Sequence, residues 1–278
     1  ASDVCNARRD LAEAHRLWES VDKKDDVIEA EILFYQASYD VYQDNLGTSR
    51  ELLDRAIGLC EGKPRCRLLA QCLIQRATVL GYIGDPADAL PDLALALEVL
   101  AHQAEPRLKL LVHTSLAIFR ALAGRFDEAE KSLAEGLERN AELGDRVLYQ
   151  HLRWAQGLVH HGRGQLDPAA AAYEKAMGGF AAVGQPGYVA MAALELALVR
   201  DEQGRFEEST ELAATAIPVL EHFQHVSGVT AALRMLNEAL AAQEVPRKVL
   251  DKVRQSLHAL WRDPTADLAA VKARSGAG

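Results

Sequence analysis

The sequence repeats itself at one fixed interval. Short polar turns occur at QDNLG, GDPADAL, GRFDEAE, GQLDPAA and GRFEEST. Their anchors, Asp44, Gly84, Gly124, Gly164 and Gly204, stand 40 residues apart without insertion or deletion. One more step reaches Glu244, in QEVPRKVL. Independent turns do not fall into a common register, so one supersecondary unit is used repeatedly. Between turns, apolar residues recur at i, i+3, i+4 and i+7, the period of amphipathic helices. EPRLKLLVHTSLAIFRALAG followed by RFDEAEKSLAEGLERNAELG shows the pattern for one unit, which reads as two helices.

Punctuation residues place the helix ends. Pro106 and Pro186 fall in the first turn of first helices, and Pro86, Pro168 and Pro246 open second helices. The missing N–H of proline costs nothing there. Gly144 and Gly184 close second helices, where a left-handed cap favours glycine. Asp127, Glu128, Glu207 and Glu208 lie in first turns, complementing the helix dipole. Pro91 and Pro218 fall inside second helices and predict kinks.

Small residues recur where two helices must approach closely. Ala37, Ala77, Ala117, Gly157 and Ala197 share one first-helix position. Ser49, Ala89, Ala129, Ala169 and Ser209 share a second-helix position, and Ala56, Ala96, Gly136, Ala176 and Ala216 another. Larger groups lie between them: Leu53, Leu93, Leu133 and Tyr173, then Ile57, Leu97, Leu137, Met177 and Ile217. One helix pair cannot bury its apolar face alone, whereas stacked pairs share a continuous core. The expectation is an all-α solenoid.

The pattern resembles the tetratricopeptide repeat: a small residue, a turn glycine, an aromatic or leucine two later, then alanine, then a small residue seven on. It reads Ala117, Gly124, Phe126, Ala129, Gly136 in one unit and Gly157, Gly164, Leu166, Ala169, Ala176 in the next. The family's usual period is shorter, about 34 residues, so this chain is similar to a long variant. The resemblance implies a right-handed α-solenoid of about six stacked repeats spanning residues 25–262. The units are 25–64, 65–104, 105–144, 145–184, 185–224 and 225–264. Residues 1–24 hold an extra amphipathic helix with Leu11, Ala14, Trp18 and Val21 on one face. It stands where the second helix of a preceding unit would be, as a half repeat or a cap, and an excised piece of a longer protein is the favoured reading. Residues 265–278 hold a short cap helix and a tail.

Charge and motifs narrow the function. The formal net charge is −9 with no large Lys/Arg cluster, which argues against a nucleic-acid partner. No apolar run is long enough to span a membrane, and no signal pattern opens the chain. A cytoplasmic location follows as an expectation. Cys5, Cys60, Cys66 and Cys72 form no C-x-x-C pair. Cys60 and Cys66 flank EGKPR closely enough for a disulfide, although reduced thiols with Cys60 and Cys72 in the core are the simpler reading. Nucleophile elbows, zincin motifs and phosphate loops are missing. Neither enzymatic activity nor a cofactor is expected.

The resemblance implies a concave face lined by first helices. Carried over unit by unit, its positions are Phe34, Ile74, Trp154 and Leu194, then Ile118 and Leu158, then Leu111, His151 and Met191, with Tyr42, Tyr82 and His161 further along. These residues are mostly apolar or aromatic, unlike a Lys/Asn clamp for an acidic C-terminus. Left exposed, they would form a docking surface for a peptide or helix with apolar anchors. Alternatively, long helices in a tight coil bury them against their neighbours. His151, Trp154, Leu158 and His161 make one stripe, and its histidines would make binding sensitive near pH 6–7. His160 and His161 point about 100° apart, so they do not chelate one metal. Arg120, Arg125, Arg153, Arg163, Arg200 and Arg205 form a mild basic patch or, more simply, solvated helix ends.

Two functions compete. The first is a non-enzymatic protein-interaction scaffold, probed by Trp154→Ala, within a larger signalling or regulatory protein. The second is a sensory domain that binds a ligand or peptide and controls an attached effector.

Overall fold

The sequence period reappears as helix starts. The computed structural model describes residues 2–21, 25–42, 45–63, 67–222, 229–242 and 245–260. Helix α1 spans Ser2–Glu19. The pairs that follow are α2 (Asp26–Tyr42) with α3 (Leu46–Cys60), and α4 (Arg67–Ile83) with α5 (Leu90–Leu100). Next come α6 (Pro106–Leu122) with α7 (Phe126–Leu143), and α8 (Arg146–Gly162) with α9 (Leu166–Ala182). Helix α10 (Pro186–Glu202) is followed by α11 (Phe206–Ala214) and α12 (Ile217–His222), and the last pair is α13 (Val229–Ala241) with α14 (Arg247–Leu260). Among the described residues there is no strand, and no helix is long and apolar enough to cross a membrane.

The turns show why the register holds. Gly124, Gly164 and Gly204 adopt φ of 73°, 72° and 75°, a left-handed conformation that side chains resist. Each lets the next amide reach back five residues: Arg125 to the Arg120 carbonyl at 2.8 Å, Gln165 to His160 at 2.9 Å, and Arg205 to Arg200 at 2.8 Å. This 6→1 bond ends the first helix and aims the chain into the second. Asp44 and Glu244 lie outside the described residues. Gly84 differs, because it has no positive φ. There Asp85 caps the Ala87 amide at 2.8 Å and Pro86–Ala89 form a 3₁₀ turn.

The two interior prolines restart helices instead of kinking them. α5 begins at Leu90, which puts Pro91 in its first turn. α11 ends at Ala214 and α12 begins at Ile217, which does the same for Pro218. A helix that breaks just before a proline loses no hydrogen bond to it. The apolar period continues across both breaks, which is why the sequence suggests one helix.

The chain divides into two compact units, Ala1–Val112 and His113–Gly278, with the boundary inside α6. In the first, α1 packs on α2, α2 on α3, α3 on α4 and α4 on α5. The shared small-residue positions Ala37, Ala56, Ala77 and Ala96 are buried there beside Leu53, Leu73 and Leu93. In the second, α7 packs on α8, α8 on α9, α9 on α10, and α10 on α11. Gly136 faces the Leu152 side chain and Gly157 faces the Tyr173 ring, so both glycines are required by close helix approach.

The recurring arginines brace the helices. Arg76 sits between Asp92, which it grips through Nε and Nη2 at 2.7 Å each, and Asp54 at 2.7 Å. Arg120 Nη1 donates to Ser132 Oγ at 2.6 Å. Its equivalent two repeats on, Arg200, pairs with Glu174 and Glu208. Arg163 reaches back to Asp127 at 2.6 Å and to Glu130. Arg125 and Arg205 pair with Glu128 and Glu208 three residues ahead, and Arg153 stacks over the Tyr149 ring. The simple picture of solvated helix ends is corrected for Arg120, Arg163 and Arg200, which tie one helix to another, whereas Arg125, Arg153 and Arg205 pair locally. Cys60 and Cys72 are buried, while Cys66 and the expected cap within 265–278 lie outside the described residues.

Candidate partner-binding face

The first-helix positions divide between the two units. In the first unit, Phe34 and Leu111 are half-buried and Ile74 is buried. Ser38, one turn beyond Phe34, donates to Gln75 Oε1 at 3.0 Å and so links α2 to α4. Tyr42 and Tyr82 end α2 and α4, but their side chains lie outside the described residues. In the second unit, Ile118, Leu158 and Met191 are buried, Trp154 is 2% exposed and Leu194 is 0% exposed. His151 and His161 are half-buried. The expectation of an open apolar face is therefore corrected for this unit. The side chains expected to line it are mostly packed against neighbours, in accord with the tight-coil alternative.

His151 shows the consequence. Its ring stands edge-on to Phe180 and Tyr188, with centroids 4.9 and 4.4 Å away, and those two rings stack on each other at 5.1 Å. Its Nδ1–H donates to the Val147 carbonyl at 3.0 Å. Burial pushes the imidazole down to about 4. His151 thus stays neutral at pH 6–7, and its expected role as a sensor in that range is corrected. His160 turns toward the loop, where Nδ1 lies 2.7 Å from Gln165 Oε1.

Helix α10 is the most fully enclosed of the described first helices. Its stretch from Ala190 to Arg200 is buried on every side. A helix apolar all round must be enclosed by others. Besides α9 and α11, it packs against α14. Arg247 of α14 meets Glu202 at 2.7 Å, and Arg254 meets Glu195 at 3.4 Å. Residue numbers rise on one helix as they fall on the other, so α14 runs antiparallel along α10. Between the two ion pairs, α14 buries Val249, Leu250 and Val253, with Leu257 beyond them.

Charge is concentrated along this seam. Glu195 is 0% exposed, and its carboxylate holds the Arg254 guanidinium above its ordinary range. His161 Nε2 lies 3.2 Å from Glu202, so one carboxylate joins α8, α10 and α14. Burial alone would raise Glu202, but the bonds from His161 and Arg247 hold it below the usual carboxylate range. Tyr173 of α9 is fully buried, and burial together with Glu195 lifts its phenol well above its ordinary value.

Sequence reasoning singles out His161 as a groove residue, not as a member of this seam, and misses Glu195, Glu202, Arg247 and Arg254. The signal is present. Glu195 interrupts the apolar run AMAALELALV, and both the acids and the arginines are spaced seven apart, two turns of helix.

No family model matches the chain, and no curated protein matches it. Solved structures do. A crystal structure of a Rap protein complexed with Competence and Sporulation Factor superposes with a TM-score of 0.68 at 15% identity, covering 90% of this chain and 68% of that one. BtubC (BKLC) from P. vanneervenii superposes at 0.56 and 18% identity, covering 80% and 91%. The fold is a helical-repeat solenoid. At such identities the likeness extends to the fold alone.

Proposed function

We propose that this chain is a cytoplasmic, non-enzymatic interaction scaffold of the long-unit tetratricopeptide type. On this reading it binds a protein segment with apolar anchors along its first helices and serves a larger signalling or regulatory protein. The observation that carries the reading is α14 on α10. A first helix of this array already accommodates an amphipathic helix lengthwise, through apolar contacts flanked by ion pairs. That is the helix-in-groove mode of recognition. The Rap structure with its bound factor supports it as an analogy of fold.

Trp154→Ala does not test this reading cleanly, because Trp154 is core. Half-buried Phe34 and Leu111, together with His161, serve better. Peptides selected by display on the full chain should carry apolar anchors at helical spacing. They should lose about tenfold or more in affinity, roughly 1.4 kcal/mol, to at least one of Phe34→Ala, Leu111→Ala and His161→Ala. Leu95→Ala, on the exposed side of α5, should leave them unchanged. Selected peptides that bind all four variants like the wild type would overturn the proposal.

A further inference from the structure

The last helix departs from the pattern of the others. α3 packs on α2 and α4, and α9 on α8 and α10: each second helix lies between its own first helix and the next. α14 packs on α13 and also on α10, the first helix of the pair before its own. Its sequence departs too. Where Ser49, Ala89, Ala129, Ala169 and Ser209 keep a small side chain, α14 carries Val249. That side chain is buried, so the usual small-residue contact is replaced by a bulkier one.

The seam is selective rather than strongly stabilising. An ion pair buried like Glu195–Arg254 gains little net energy, because desolvation offsets the attraction. Removing the Arg254 cation is costly, because the fully enclosed Glu195 carboxylate loses that counter-charge. An apolar helix without the cation is therefore rejected from this face. One with cations two turns apart, opposite Glu195 and Glu202, is accepted.

We propose that the α10 face is a docking surface for a basic amphipathic helix, and that α14 is its built-in occupant. The incoming helix carries two Lys or Arg seven residues apart with apolar residues between, as α14 does in Arg247, Leu250, Val253 and Arg254. It displaces α14 and takes over both ion pairs. This rests on the reading that first helices bind partner helices, and adds the partner's chemistry and the regulation of the site. Residues 242–246 connect α13 to α14 in the chain and α14 also packs on α13, so the internal helix has the advantage over one arriving from solution. Binding by an outside helix is weak until α14 is loosened.

The test uses the full chain and a fluorescein-labelled peptide of residues 247–260, RKVLDKVRQSLHAL. Fluorescence anisotropy should show the Arg247→Glu/Arg254→Glu chain binding this probe at least tenfold more tightly than the wild type. A probe with its own two arginines replaced by glutamate should not bind that variant. Equal affinity for both chains, or binding to the variant that ignores the probe's charge, overturns the proposal. Should the variant not fold, hydrogen exchange on the wild type decides. α14 amides should exchange through an opening that leaves α8 to α10 protected. Exchange of α14 only with global unfolding makes it a fixed core element and overturns the idea. If this inference alone is wrong, display-selected peptides still depend on Phe34, Leu111 or His161.

Discussion

The Tyr173 ring fills the notch that Gly157 leaves on α8, so that a Cβ at position 157 would collide with the ring's Cε1 and Cδ1. The ring is fully buried and cannot swing aside. Gly157→Ala should therefore destabilise the chain by about 1–3 kcal/mol, although alanine is the better helix former. Urea denaturation would measure the loss, and an unchanged or raised midpoint would refute the contact.

Glycines elsewhere separate backbone from packing. Gly164 sits at φ 72° with nothing within 4 Å of a Cβ, so Gly164→Ala should cost about 1 kcal/mol through conformation alone. Gly178 lies within α9, also facing open space, and Gly178→Ala should add roughly 0.5–1 kcal/mol. Thermal melts of the two variants should move in opposite directions.

Arg76 holds the nearly buried Asp92 in a two-pronged bond while also meeting Asp54. Arg76→Leu strands the Asp92 carboxylate and should cost about 3–5 kcal/mol. Adding Asp92→Leu should restore much of that loss, and Asp54→Ala alone should cost under about 1 kcal/mol. A double-mutant cycle in denaturant would show whether the coupling sits on Asp92.

His151 sets a pH dependence. Its folded value of about 4 lies below the ordinary 6.5, so the unfolded chain takes up the proton first as pH falls. The stability tied to neutral His151 is complete above about pH 6.5 and drains away as pH falls toward 4. His113, also shifted down by burial, acts in the same direction. Because His151 as a residue is half-buried, the expected loss is about 1–3 kcal/mol. His151→Leu should flatten the pH dependence of the urea midpoint across this window, and an unaltered slope would exclude His151 as its source.

Trp154→Ala changes meaning once its burial is known. It should cost about 3–5 kcal/mol as a core cavity, read by denaturation before any binding assay.

The fold was legible because its determinants are local and periodic. Gly124, Gly164 and Gly204 mark left-handed turns, and Ala37, Ala77, Ala117, Gly157 and Ala197 mark close packing, each within its own repeat. The candidate site was less legible. Periodicity puts Trp154, Met191 and Leu194 on one face but is silent on whether another helix covers that face. The cover over α10 comes from α14, separated from it along the chain by α11, α12 and α13, through Glu195 and Arg254. Pro91 and Pro218 escape the sequence for a related reason: a proline has the same place in the period whether it bends a helix or begins one.

The all-round burial of the mostly apolar α10 also matters while the chain is being made. Glu202 leaves the ribosome well before Leu260, the end of the helix that covers it. With about 60 residues still to add at roughly 5–20 residues per second, that greasy cylinder waits about 3–12 s for its cover. For that interval the nascent chain offers a strip that chaperones, or other nascent chains, can seize, and any transcript truncated before Arg247 would leave it open for good.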